Sequence, residues 1–345
     1  MKNKKLTIVL IIVFLLNYIW SFKYISSKET IIANNTISKR VNPIGRVAGL
    51  KLYTNGVLVI GMSKIELNDG MYAMPYENTG IKEGDIIKSI NGIELNNVSE
   101  LISIVNNSNG NEISIKYERD NEEIYTTIKP VKSIEGNYML GIWVRDAAAG
   151  VGTITFYDRE TNRFAALGHG IEDVDTGNLL NISNGELVTS KIITIVRGEK
   201  NKPGEIRCTI DEGEEIGIVE KNTNIGVYGY ATNNNYLNKV LLNEVEVASR
   251  SEIKIGKATI MCQLKNDEIN EFEVEIKKIY KNNYKDNKSM LIKVSDNNLI
   301  EKTGGIIPGM SGTPIIQNGK LIGAITNVLL NDPTQGYAIF SDMMF

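Results

Sequence analysis

Ser311 stands in Gly309-Met310-Ser311-Gly312-Thr313-Pro314, a serine between glycines with a proline close behind. A serine hydroxyl attacks a carbonyl poorly unless a base takes its proton and backbone N–H groups steady the oxyanion that forms. Glycines let the chain turn tightly enough to aim such donors, here the N–H groups of Gly309 and Ser311, at one point. The base can only be His169, the one histidine of the chain, in Ala165-Ala166-Leu167-Gly168-His169-Gly170. Gly, Ser and Pro are also ordinary turn residues, so each motif alone also reads as a plain turn, and the pair gains weight from its setting.

That setting is β-rich. Ile315-Ile316-Gln317 and Leu321 to Ile325 flank Asn318-Gly319, the signal of a two-residue hairpin that pins the serine loop to a sheet. His169 follows a run ending at Leu167, after a hairpin whose turn is Asp158-Arg159-Glu160-Thr161-Asn162. From Gly141 onward, short alternating runs recur between Gly, Asn and Asp: 152–157, 163–167, 187–196, 225–230, 252–264, 271–280, 290–294, 314–317 and 320–327. Such a series predicts closed antiparallel barrels. A pair of them, with a cleft between, places the histidine on the first and the serine on the second.

Bulk composition narrows the function classes. A length of 345 residues suits two folded domains and a terminal segment. The formal charge of −3, from 38 basic and 41 acidic residues, gives no electrostatic reason to expect nucleic acid. Two cysteines, Cys208 and Cys262, are too few for a disulfide scaffold or a metal site, so no metal is expected. No glycine signature links a strand to a helix in the manner of a nucleotide site, so no cofactor is expected.

At the N-terminus, Lys2, Lys4 and Lys5 precede an apolar run from Leu6 to Phe22, which as a helix reaches roughly 25 Å against a hydrocarbon core of ~30 Å. With the lysines held inside, the rest of the chain is expected to be exported and tethered by residues 6–22. Trp20-Ser21-Phe22-Lys23-Tyr24 lacks the small-residue pattern of a cleavage site, which favours an anchor over a removed signal. Residues 1–22 thus read as the anchor, and the polar residues 23–44 as a linker.

Residues 45–130 resemble the PDZ domains of exported proteases, an α+β unit, through Thr79-Gly80-Ile81-Lys82-Glu83-Gly84-Asp85 with Ile86 to Gly92 following. A PDZ domain captures a peptide as an added strand beside a helix. Here the helix is expected near Ser99 to Asn106 and the groove strand at Gly56 to Ile60, with Val57 and Val59 as peptide-binding residues. The usual Gly-hydrophobic-Gly-hydrophobic carboxylate loop is not plain in front of that strand.

From Val131 to the C-terminus the chain resembles the SpoIVB family of sporulation serine peptidases. The likeness is carried by Gly150-Val151-Gly152-Thr153, Ala166-Leu167-Gly168-His169 with Asp173-Val174-Asp175-Thr176-Gly177 after it, Met290 to Val294 before Asp296, Gly304-Gly305 through Pro314, and Asn331-Asp332-Pro333-Thr334 with Gly336-Tyr337. It implies a mainly β chain with a chymotrypsin-like double β-barrel over residues 131–345. It also implies a membrane-tethered serine endopeptidase with Ser311 as nucleophile and His169 as base. The resemblance points to Asp296 as the orienting acid, whereas the usual distance past the histidine in chymotrypsin-like folds points to Asp211. Asp173 and Asp175 read as a hydrogen-bonding turn. The implied partner is a protein substrate, a regulator of an intramembrane protease, cut between the membranes of a developing spore, and the tethered linker invites self-processing. A non-catalytic scaffold that keeps the fold and binds through its PDZ domain is the alternative, separated from the first by peptide turnover.

Overall fold

The computed structural model describes residues 39–345 apart from 241–242, 266–267 and 281–286. The expected anchor, residues 1–22, and residues 23–38 of the expected linker lie outside the described residues. Among the described residues no helix is long and apolar enough to cross a membrane.

A closed ring of six strands forms the first barrel. Its members are β1 (Arg40–Met62), β5 (Ile142–Asp158), β6 (Arg163–Ala166), β7 (Ile182–Val196), β8 (Glu205–Thr223) and β9 (Gly226–Ala231). β1 pairs with β5, β5 with β6, β6 with β9, β9 with β8 and β8 with β7, and β7 returns to β1, all antiparallel. Leu50, Leu52, Ile154, Phe164, Leu187, Val219 and Val227 fill its interior.

The second ring is built the same way from β10 (Gly256–Lys265), β11 (Glu268–Ile279), β12 (Met290–Val294), β13 (Pro314–Gln317), β14 (Lys320–Val328) and β15 (Gln335–Phe340). It closes in the order β10, β11, β12, β15, β14, β13 and back to β10. Gln317 faces Lys320 across the expected hairpin, and Asn318 and Gly319 take φ of 51° and 75°, the left-handed pair that a two-residue turn requires. Ile260, Val274, Ile292, Met310, Ile315 and Ile325 form its core.

Between β1 and β5 the chain leaves the first barrel and builds a smaller unit of β2 (Ile86–Ile90), α1 (Val98–Asn107), β3 (Ile113–Arg119) and β4 (Glu122–Ile128). Asn97 caps α1 by accepting from the Glu100 N–H, and Leu101 and Val105, four apart on one face, are buried. Val57, Val59, Ile87, Ile115, Tyr117 and Leu140 complete this unit's core.

β1 runs 23 residues and β5 runs 17, paired from Asn42↔Tyr157 to Met62↔Ile142. The small unit is therefore held on a two-stranded ribbon that grows out of the barrel. This differs from the sequence reading in two ways. Residues 40–44, expected in the linker, begin β1, with Ile44 fully buried; residues 45–54, expected in the PDZ domain, pair with β5 and β7 in the barrel wall. A six-stranded barrel starting at residue 131 would lack one wall, and β1 supplies it.

The expected groove strand is also displaced. Val57 and Val59 are fully buried, and β1 there has β2 on one edge and β5 on the other, so no edge is left for a peptide. Alternation places their side chains in the core of the small unit, and the edge left open belongs to β5.

Candidate active site

Ser311 and His169 come from different barrels and line one pocket of about 960 Å³, together with Gly150, Val151, Glu172, Gly309, Thr326 and Lys288. Both are half-buried.

The serine loop lies between α3 (Asn297–Thr303), the helix that follows α2 (Asn234–Val240), and β13. Met310 is fully buried in the second core and anchors it. The Met310 N–H donates to Ile307 O at 3.0 Å, Gly312 to Ile325 O at 2.8 Å and Thr313 to Met310 O at 3.0 Å. Among the described residues the N–H groups of Gly309 and Ser311 have no intramolecular acceptor. Thr153 on β5 grips the loop from the other barrel: its N–H donates to Ser311 O at 2.9 Å and its hydroxyl to Gly309 O at 2.8 Å. Gly312 is obligatory, with φ +92° and the Thr153 carbonyl 2.0 Å from where a Cβ would sit.

His169 follows a tight reversal. Gly168 N–H reaches Ala166 O at 2.9 Å around Leu167, whose φ of +69° is rare for a bulky residue and costs about 1–3 kcal/mol. The strain is held because the Leu167 side chain is buried and its N–H donates to Thr153 O at 3.2 Å. His169 Nδ1 lies 2.7 Å from Gly170 O. A carbonyl only accepts, so this contact puts the proton on Nδ1 and leaves Nε2 with a free lone pair, the form a general base needs. The Ser311 hydroxyl donates to Thr326 O at 2.8 Å, and no hydrogen bond joins it to His169 among the described residues.

The loop after His169 is fastened by charge and amide groups. Asp173 is buried, accepts from the N–H groups of Asp175 and Thr176, and is met by Arg145 at 2.5 Å; the other arm of Arg145 reaches Asp175 at 2.7 Å. Burial pushes the Asp173 carboxyl up, but those two N–H groups and the Arg145 charge outweigh it and hold it below its ordinary 3.8. Asn222 ties the loop ends, accepting from Ile171 N–H and donating to the carbonyls of Ile171 and Leu180.

Asp296 is placed elsewhere. Its carboxylate caps α3, accepting from Leu299 N–H at 3.0 Å, and is 3.5 Å from Glu273 N. It does not line the pocket, and the acceptor at His169 Nδ1 is a backbone carbonyl where the resemblance implied this carboxylate. Asp-Asn-Asn before an apolar helix is a capping pattern, a signal available in the sequence. Asp211 lies on β8 and its side chain is outside the described residues. Sequence reasoning did not single out Thr153 as a clamp, Arg145, or Asn222; all three act through contacts more than 20 residues away in the chain. Cys208 and Cys262 are both free, and burial pushes the Cys262 thiol up to about 12, so it is no nucleophile at neutral pH.

The family model described as SpoIVB peptidase S55 matches residues 136–345, and a PDZ domain model matches residues 58–129. The chain belongs to the SpoIVB peptidase S55 family. It is a serine endopeptidase carrying a PDZ domain. The zinc metalloprotease RasP of Shouchella clausii (strain KSM-K16) is 34% identical over 92 residues, which are 26% of this chain and 21% of that protein, so the peptidase spans about a fifth of that relative's length. Among solved structures, the PDZ domain of an SdrC-like protein from Listeria monocytogenes is 22% identical over 26% of this chain and 87% of its own, with a TM-score of 0.21. The active form of the Rv3671c protease from M. tuberculosis is 11% identical over 56% and 70%, with a TM-score of 0.31. The HtrA-type protease AlgW with a decapeptide is 12% identical over 88% and 63%, with a TM-score of 0.34.

Proposed function

We propose that Ser311 is the acylating nucleophile, His169 its general base and then the acid that protonates the leaving amine, and the N–H groups of Gly309 and Ser311 the oxyanion hole. The observation that carries this reading is the shared pocket: the only imidazole of the chain and a serine flanked by two uncommitted N–H donors meet there from separate barrels. For attack, the Ser311 hydroxyl leaves the Thr326 carbonyl and turns to Nε2, a tightening that substrate binding brings about in such sites. Asp296 acts on the nucleophile side, by capping the helix from which the serine loop departs. Labelling the full chain with a serine-directed fluorophosphonate, and mapping the adduct by mass spectrometry, tests this. A label on Ser311 that disappears in His169→Ala supports it; a label elsewhere, or none, contradicts it.

The wider role we propose goes beyond the family match: an exported enzyme, tethered through the lysine-led apolar run of residues 6–22, that signals during endospore formation by cutting a regulator of an intramembrane protease. The PDZ domain supports recruitment of a protein partner. The polar linker, residues 23–44, or the chain next to the PDZ domain is the expected self-processing site; shortened forms in wild type that are missing in Ser311→Ala would establish it.

A further inference from the structure

The side of β5 facing away from β1 has no strand partner from residue 142 to residue 152 among the described residues. Natural sheets guard such edges with lysine, proline or cover. This one instead presents Ala147-Ala148-Ala149-Gly150, with none of residues 142–151 fully buried. Thr153 sets the phase: its N–H and C=O point out of this edge to Ser311 and Leu167, so by the period of two those of Val151, Ala149 and Ala147 point out as well. Beyond a phase change at Arg145-Asp146, Val144 does the same, because its neighbour Val59 donates its N–H to the Asp85 carbonyl and accepts with its own carbonyl from the Gly84 N–H. The edge thus starts at the pocket, where Gly150 and Val151 line the wall beside Ser311, and ends in the PDZ unit.

At that far end α1 stands alongside, its first turn tied to Asp146 through Val98 N–H and its last turn to Tyr138 through Asn106. The turn Leu140-Gly141-Ile142 closes the groove. Gly141 has φ +72°, and the N–H groups of Leu140 and Gly141 have no acceptor among the described residues. Adjacent free N–H groups make a nest for a carboxylate.

We infer that the open edge of β5 is one continuous docking rail for the carboxy-terminal tail of the polypeptide substrate. The tail adds antiparallel to β5, its terminal carboxylate at Leu140-Gly141 and its scissile bond at Ser311. Chain direction requires this: an antiparallel strand that ends at residue 141 runs back toward residue 151 at its N-terminal side. At one residue per residue over about 30 Å, the rail sets the cut about ten residues before a free C-terminus. The inference rests on Ser311 being the peptidase nucleophile and adds what selects its substrate.

The test uses the full chain and peptides with one scissile sequence followed by tails of about four, about ten or about sixteen residues, each ending in carboxylate or amide. A tail of about ten residues with a free carboxylate is expected to raise kcat/KM about tenfold or more over the other lengths, through local tethering of the scissile bond. Amidation, or N-methylation of alternate tail amides, is expected to remove that advantage. Cleavage indifferent to tail length and end group, with Ser311 still labelled by fluorophosphonate, would overturn the rail alone. Neither cleavage nor label would bring down the nucleophile assignment and the rail together. A dimer of the free peptidase that the preferred peptide fails to disperse would assign the edge to a second copy and also overturn the proposal.

Discussion

The two loops that meet in the pocket are held by different means. The serine loop is held by main chain: Ile307, Met310, Thr313 and Ile325 exchange N–H and C=O groups with it, Thr153 clamps two of its carbonyls, and Gly312 allows contact that no side chain would permit. The histidine loop has main-chain bonds too, from the N–H groups of Asp173, Gly177 and Leu180, but adds to them the side chains of Arg145, Asp173, Asp175 and Asn222, behind a strained Leu167. Backbone contacts do not titrate and tolerate no added Cβ, whereas charged side chains can be removed singly and respond to pH. The serine side is therefore the rigid half of the site and the histidine side the adjustable one. Arg145 lies on the ribbon that carries the PDZ unit, so its grip on the histidine loop ties the position of His169 to that unit.

The largest effects test the chemistry shared by both loops. Ser311→Ala and His169→Ala are each expected to lower peptide turnover by about 10⁴-fold or more with Tm unchanged. Turnover near wild type in either variant would remove the pairing of the two loops as a functional statement.

The rigidity of the serine loop carries the next largest effect. Gly312→Ala puts a methyl 2.0 Å from the Thr153 carbonyl at φ +92°, so the loop must leave its place. We expect activity lost about a hundredfold or more and a lower Tm. Equal activity would mean the loop is as adjustable as its partner.

Asp296 sharpens the contrast further. Asn caps a helix as well as Asp, and Ala does not. As a cap, Asp296→Asn keeps near-full turnover while Asp296→Ala loses about 1 kcal/mol of stability. As the orienting acid, Asp296→Asn would lose roughly 10⁴-fold in kcat with stability intact, and the geometry above would then describe a resting arrangement only.

On the histidine side, Arg145→Ala leaves a buried carboxylate with no charged partner and only the Asp175 and Thr176 donors, and about 2–3 kcal/mol of stability is expected to go. Turnover is expected to fall about tenfold, while Arg145→Lys, which cannot hold both Asp173 and Asp175 in a fork, recovers it in part. Stability loss without any change in turnover would show that the loop positions nothing.

The smallest expected effect is on pH. Asp173 titrates below its ordinary 3.8 when folded, so its contribution is fully present above that value and is lost as pH falls through the lower folded one. Arg145→Ala removes one of the causes of that depression, and its acid-unfolding midpoint is expected to rise. An unmoved midpoint would show that the Asp175 and Thr176 donors hold the carboxylate down without Arg145.

Local pattern carried much of this to the reader of the sequence. Ser311 between glycines, the solitary His169, the Asn318-Gly319 turn and the hairpin at 158–163 are decided by residues within a few positions of each other, and each stands in the structure where those rules put it. The helix near residues 99–106 followed from its apolar spacing in the same way. Asp296 shows the limit: the strand before it and the serine after it are local, but whether its carboxylate turns to the imidazole or to Leu299 N–H depends on how α3 packs.

What the chain order hid is barrel closure. Alternation marks β1 as a strand but is blind to its partners, and the sixth wall of the first barrel comes from residues 40–54, nearly a hundred positions before β5 completes its pairing with them. For the same reason Val57 and Val59 read as a groove while they are core, and the open edge passed to β5. Types and short spacings determined which groups this protein has for chemistry, since the serine and histidine motifs and the turns are set by local sterics. Which of them meet, which edge stays open and which carboxylate reaches which donor were decided only when two barrels and their ribbon closed, because hydrogen-bond pairing between distant strands is a property of the whole sheet.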